Sequence, residues 1–309
     1  MPRSLAPGPF NRRRFLTASA WLAAVAALRP HALLAQTKVG ELPRFPVGVC
    51  DWMLLKRQKL GAFEIAHAIG ADGLEVDMGG LGQRETFDNQ LAKPEVREQF
   101  LARSRELGVR VCSLAMSGFY AQSFAERPGV ERMVQDCIDT MVAMQVKVAF
   151  LPLGVRSDLV QFPHLRPVVV QRLRAIASRA ADAGVVIGIE TALDAAGEAA
   201  LLDDVGSPAI RSYFNFANPL QSGRDLHAEL RTLGRERICQ IHASNQDRVW
   251  LENDPQIDVP AVKRTLEELG WQGWLVIERS RDANDARNVR RNYGANTQYL
   301  KTVFQSPSA

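Results

Sequence analysis

Residues 185–191 read Val185-Val186-Ile187-Gly188-Ile189-Glu190-Thr191, a short apolar run closed by a carboxylate. A run of this length reads as a strand buried on both faces. The amphipathic segment before it, near 166–183, reads as a helix stopped by Gly184. The same pairing recurs in both directions along the chain. Further strand-like runs are Val47–Asp51, Gly73–Asp77, Val109–Ala115, Lys147–Pro152, Ser212–Ala217, Ile238–Ala243 and Trp274–Glu278. Helix-like segments lie near 61–70, 94–107, 130–145, 197–205, 225–234 and 258–270, with a last one near 288–304. Gly70, Gly108, Gly234 and Gly270 supply further stop signals. Eight β/α units in about 265 residues predict one (β/α)8 barrel. The alternative, a doubly wound open sheet, wants a glycine-rich phosphate turn, and Gly79-Gly80-Leu81-Gly82 lacks the GxGxxG spacing and its acidic partner.

In such a barrel, chemistry gathers at the C-terminal ends of the strands. Glu190 ends the fifth run, Asn215 lies in the sixth, His242 ends the seventh and Glu278 the eighth. Side chains alternate along a strand, so Glu190 shares a face with Gly188, Asn215 with Tyr213, His242 with Gln240 and Glu278 with Val276. With those faces inward, four successive strands present Glu, Asn, His and Glu to one rim. Oxygen ligands with one imidazole suit a divalent ion such as Mn²⁺, Mg²⁺, Co²⁺ or Zn²⁺. An ion also removes the cost of burying two unpaired carboxylates together.

The composition, 46% hydrophobic and 7% aromatic over 309 residues, excludes a disordered or fibrous chain. The formal charge of +4 hints at a nucleic-acid partner until the charges are located. Residues 1–35 hold Arg3, Arg12, Arg13, Arg14 and Arg29 and no acid, so the rest has one more acidic than basic residue. That leader reads Asn11-Arg12-Arg13-Arg14-Phe15-Leu16-Thr17, then an apolar stretch from Ala18 to Leu28, then a small-residue end at Leu33-Leu34-Ala35. It resembles a twin-arginine export signal, too short in its apolar part to span a bilayer. The expected organisation is a signal at 1–35, a linker at 36–45, the barrel at 46–304 and a tail at 305–309. The mature protein is then expected in the periplasm, free of the membrane. Cys50, Cys112, Cys137 and Cys239 form no CxxC pair and read as small buried hydrophobes.

Several stretches together resemble the xylose isomerase-like TIM-barrel superfamily, in its sugar phosphate isomerase/epimerase branch. They are Gly48-Val49-Cys50-Asp51-Trp52, Gly73-Leu74-Glu75-Val76-Asp77, Ile187–Thr191, Tyr213–Asn218, Ile241-His242-Ala243-Ser244-Asn245 and Gly273–Glu278. The resemblance spans roughly 45–304 and implies a metal site at Glu190, Asn215, His242 and Glu278. Asn215 departs from the Asp usual there, leaving a carbonyl oxygen as ligand but no charge. The family's His-x-Lys-Asp segment is also altered, to His242-Ala243-Ser244-Asn245. The implied activity is a sugar isomerase or epimerase. Glu190 and Glu278 would be both ligands and the acid/base pair that removes and returns a proton beside a carbonyl, through a metal-stabilised enediolate. The same chemistry can expel a leaving group, so a dehydratase or lyase acting on oxidised sugars is the alternative. A non-catalytic sugar-binding barrel is another.

Softer candidates for substrate contact are Asp51, Trp52, Glu75, Tyr120, Arg156, Asn245 and Arg279. His67, His164 and His227 read as non-ligands. The expected partner is a small carbohydrate, with a homo-oligomer possible. A nuclease of this superfamily would want a site richer in His and Asp, and only four histidines remain beyond the leader, so no nucleic-acid partner is expected.

Overall fold

The computed structural model describes residues 43–306; the expected leader and the last three residues lie outside the described residues. Eight parallel strands close on themselves in chain order. They are β1 Val47–Cys50, β2 Gly73–Asp77, β3 Arg110–Ala115, β4 Val148–Pro152, β5 Val186–Glu190, β6 Ile210–Asn215, β7 Ile238–His242 and β8 Leu275–Ile277. The connecting helices are α1 Gly61–Ala68, α2 Pro94–Leu107, α3 Val130–Met144, α4 Arg166–Asp182, α5 Ala195–Val205, α6 Ala217–Gln221, α7 Leu226–Arg237, α8 Val259–Glu268 and α9 Val289–Gln305. The fold is the single (β/α)8 barrel that the rhythm of apolar runs predicts.

The strands are largely buried on both faces because one face packs into the barrel and the other against the ring of helices. Helices α3 and α8 show how the ring attaches. Met133, Val134, Cys137, Ile138 and Met141 recur at three- and four-residue intervals and are buried, as are Val259, Val262 and Leu266. Asp258 caps α8, its side chain accepting from the Ala261 N–H.

Four strands end short of the sequence expectation at the rim: β1 and β7 stop one residue early, at Cys50 and His242, and at β6 and β8 side chains account for the stop. β6 stops at Asn215 instead of running to Ala217, because the Asn215 Oδ1 accepts the Ala217 N–H at 2.9 Å and turns the chain into α6. β8 stops at Ile277, because the N–H groups of Glu278 and Arg279 both donate to Ser244 Oγ, at 3.3 and 3.1 Å, and leave the ladder. Register then fixes depth. Asn215 pairs with His242 and Pro152 with Glu190, whereas Glu75 pairs with Cys50 and Ser113, nearer the middle of the barrel.

Candidate active site

The tips of Glu190, Asn215, His242 and Glu278 converge on one point. Glu190 Oε2 lies 3.2 Å from His242 Nδ1, and Glu278 Oε2 lies 3.8 Å from the same nitrogen. The Asn215 amide nitrogen donates to Glu190 Oε2 at 3.2 Å and reaches Glu278 Oε2 at 3.5 Å. Convergence follows from strand position, since Glu190, Asn215 and His242 are each the last residue of their strand and Glu278 is the first beyond β8. All four are buried. His242 is held between rings, with Tyr213 and Phe150 centroids 4.5 and 4.7 Å from its own.

Ligands about 2.0–2.2 Å from a divalent ion lie roughly 3–3.6 Å from one another. The 3.2 Å between Glu190 and His242 falls in that range and the 3.8 Å between Glu278 and His242 lies just above it; two carboxylates with an imidazole are a suitable donor set. Asn215 is different. Its carbonyl oxygen is taken by the Ala217 N–H, so its NH₂ faces the carboxylates. An amide NH₂ has no lone pair for a cation. The expectation of a carbonyl ligand is therefore not met in this arrangement, and three residues remain that fit an ion.

The electrostatics are those of crowded, buried carboxylates. Burial pushes the Glu278 carboxyl above its usual range; His242 opposes this and Glu190 adds to it. For His242, burial disfavours the charged ring, but Glu75, Glu190 and Glu278 outweigh it and raise the imidazole to about 10. Binding an ion at Nδ1 would therefore release a proton.

The softer candidates fall into two groups. Tyr120 belongs to the rim, donating from its hydroxyl to Glu278 Oε1 at 3.2 Å. Trp52 is partly buried against Ala115, Phe150 and Tyr213, over the same interior layer. Arg279 is exposed, and its charge lowers the Glu278 carboxyl. The other four are engaged in other ways. Asp51 is fully buried and accepts the N–H groups of Gln58 and Asp77, at 2.8 and 3.2 Å. Asn245 is 1% exposed and donates to Asp254 and Gln256. Arg156 lines an open surface cavity of about 960 Å³ with Arg84, Arg127 and Arg132. Glu75 is fully enclosed beneath His242, with Oε1 3.0 Å from Nε2. The histidines read as non-ligands lie elsewhere: His67 Nδ1 meets the Leu107 carbonyl and His227 Nδ1 meets Thr265.

Sequence reasoning missed the layer below the rim. Cys50, Ser113, Tyr213 and Gln240 join Glu75 there, and Cys50, Glu75 and His242 offer three possible ligand atoms within 4.8 Å of one another. Polar residues inside otherwise apolar strands were the available signal.

Comparison with known proteins agrees with this architecture. A family model described as the xylose isomerase-like TIM barrel matches residues 63–303. The chain is 30% identical over 203 residues to the 2-epi-5-epi-valiolone 7-phosphate 2-epimerase of Actinoplanes sp., covering 62% of this chain and 70% of that protein. Among solved structures, D-psicose 3-epimerase from Clostridium cellulolyticum superposes with a TM-score of 0.68 at 14% identity, covering 84% of this chain and 99% of its own. The 3-keto-D-glucoside 4-epimerase of E. coli superposes with a TM-score of 0.64 at 16% identity, covering 84% and 99%. Those two likenesses speak to the fold, while the family match spans most of the barrel: the chain belongs to the xylose isomerase-like TIM-barrel family.

Proposed function

We propose that this protein is an epimerase or isomerase of a small sugar, that it moves a proton on a carbon next to a carbonyl, and that it works with one divalent cation held by Glu190, His242 and Glu278. The observation that carries the reading is the meeting of two carboxylates around one imidazole in the barrel mouth, 3.2 and 3.8 Å from its Nδ1. The relatives named as epimerases support the reaction class, and the partly buried Trp52 and Tyr120 offer apolar surface for a sugar ring. A bound cation would polarise the carbonyl and a neighbouring hydroxyl, making the adjacent C–H acidic.

The chain's own groups do the proton work. Glu190 and Glu278 flank Asn215, whose NH₂ reaches both. That amide keeps the two carboxylates separated and restrained in orientation. Glu278 is suited to hold a proton, because burial raises its carboxyl and the Tyr120 hydroxyl and Asn215 amide orient it. Removal of the proton by one carboxylate and its return by the other inverts a stereocentre. Enclosure by Tyr213, Phe150 and Tyr120 limits water and strengthens each of these interactions.

The test is exchange of substrate hydrogen for solvent deuterium across a panel of ketoses and their phosphates, with Mn²⁺ present. Wild type should exchange one carbon-bound hydrogen of its substrate, and Glu190→Gln and Glu278→Gln should each slow exchange by at least about 10²-fold. Undiminished exchange in both variants would remove the roles given to them.

A further inference from the structure

Beneath the rim, the barrel interior is polar where side-chain layers are usually aliphatic. Glu75, the third residue of β2, is fully buried there. Its Oε1 faces His242 Nε2 at 3.0 Å and the Cys50 thiol at 3.5 Å. Its Oε2 accepts from Ser113 Oγ at 2.5 Å and from the Tyr213 hydroxyl. Gln240 explains the direction of those last two bonds. Its Nε2 donates to both hydroxyls, at 2.8 Å each, so both hydroxyl protons are free to point at Glu75. Strands β1, β2, β3, β6 and β7 thus all contribute to fixing one carboxylate.

A buried carboxylate is costly unless every lone pair is used. Here the spending has one outlet toward the rim, the Nε2 of His242. With that nitrogen tied to Glu75, the ring turns Nδ1 to Glu190 and Glu278. We propose that Glu75 is a positioning residue for the rim: it holds the Nε2–H of His242, making Nδ1 the ring nitrogen offered to an ion, and it is itself held by Ser113, Tyr213 and Gln240. The inference rests on the reading of His242 as an ion ligand, yet the hydrogen bond it invokes exists with no ion present. A carboxylate behind a ligating imidazole fixes its orientation and makes it a better donor.

The arrangement competes with a second one. Cys50, Glu75 and Nε2 could themselves ligate an ion, and then Nε2 would carry no proton for Glu75. The test separates the two and does not depend on turnover. Isotope-labelled histidine in the ion-free protein should show a low-field, exchange-protected Nε2–H for His242, identified by its loss in His242→Gln. Glu75→Gln should move that resonance strongly upfield while the circular dichroism spectrum stays native. Titration with Mn²⁺ should show affinity weakened about tenfold to a hundredfold in Glu75→Gln. Ser113→Ala, which leaves Glu75 in place, should shift both readouts in the same direction by less, and it serves if Glu75→Gln does not fold. Wild type loaded with Co²⁺ should lack the intense near-ultraviolet band of a cobalt thiolate. An unmoved resonance with unchanged Mn²⁺ affinity in both variants, or a thiolate band in wild type, would overturn the proposal. If wild type binds no divalent ion, the proposed function fails, while the Nε2–H signal still judges Glu75.

Discussion

Asn215 shows how much a single amide decides. Its Oδ1 belongs to Ala217, and its NH₂ lies against two carboxylates that would otherwise repel. In Asn215→Asp, one oxygen should keep the Ala217 bond and the other should become a third carboxylate oxygen at the rim. Without ions the variant should be less stable by about 1–3 kcal/mol. With Mn²⁺ it should gain more in melting temperature than wild type does, because a fourth ligand and a charge have been added. Equal gains in both proteins would show that the amide does not limit ion binding. Gly188 matters through space instead of charge. A Cβ there would lie 2.7 Å from Cys239 Sγ and 2.9 Å from Tyr213 Cβ. Gly188→Ala should therefore cost about 1–3 kcal/mol in denaturant unfolding, by displacing the Tyr213 ring that backs His242. The residue types Glu190, His242 and Glu278 were legible because each closes an apolar run. The orientation of the Asn215 amide was not, since it depends on the backbone turn two residues on.

All eight strands were legible to within two residues at each end, and β6 and β8 stop early where side-chain oxygens compete with the ladder for backbone N–H groups. Depth inside the barrel was less legible. Alternation says that Glu75 faces inward, but only its register against Cys50 and Ser113 places it below the rim. Register comes from the stagger of the closed sheet, which no single strand encodes. Helix α5 carries a second hidden acid, Glu198, which is fully desolvated by burial and accepts from Thr191 Oγ1 at 2.9 Å. Burial lifts its carboxyl from 4.5 to about 7. Between those values the folded chain keeps a proton that the unfolded chain has lost, so stability falls as pH rises through the window and is flat above it. The loss attributable to this group is ~3 kcal/mol. Glu198→Gln should remove it, gaining on wild type as pH rises from about 4.5 to about 7 and levelling off above that in denaturant unfolding. A difference independent of pH would show that Glu198 is charged in the folded protein.

For the barrel as a whole, closure depends on joining its first strand to its last. β1 pairs with β8, and α9 reinforces that seam. Lys301 reaches Asp72 at 2.6 Å, Gln305 reaches Asp72 at 2.7 Å and the Phe45 carbonyl at 3.1 Å, and Phe304 packs edge-on against Phe45. Removing residues 289–309 should abolish cooperative thermal unfolding, because the β1–β8 seam would lose its cover. A truncated chain that melts as sharply as wild type would show that the seam holds without it. The same helix also reaches the rim. The Tyr293 hydroxyl donates to the Glu278 carbonyl at 2.9 Å, and the Asn296 amide to the Ser280 carbonyl at 2.8 Å. One helix therefore serves both as the clasp of the cylinder and as the anchor of a rim carboxylate's backbone. Loosening the clasp would loosen Glu278 with it.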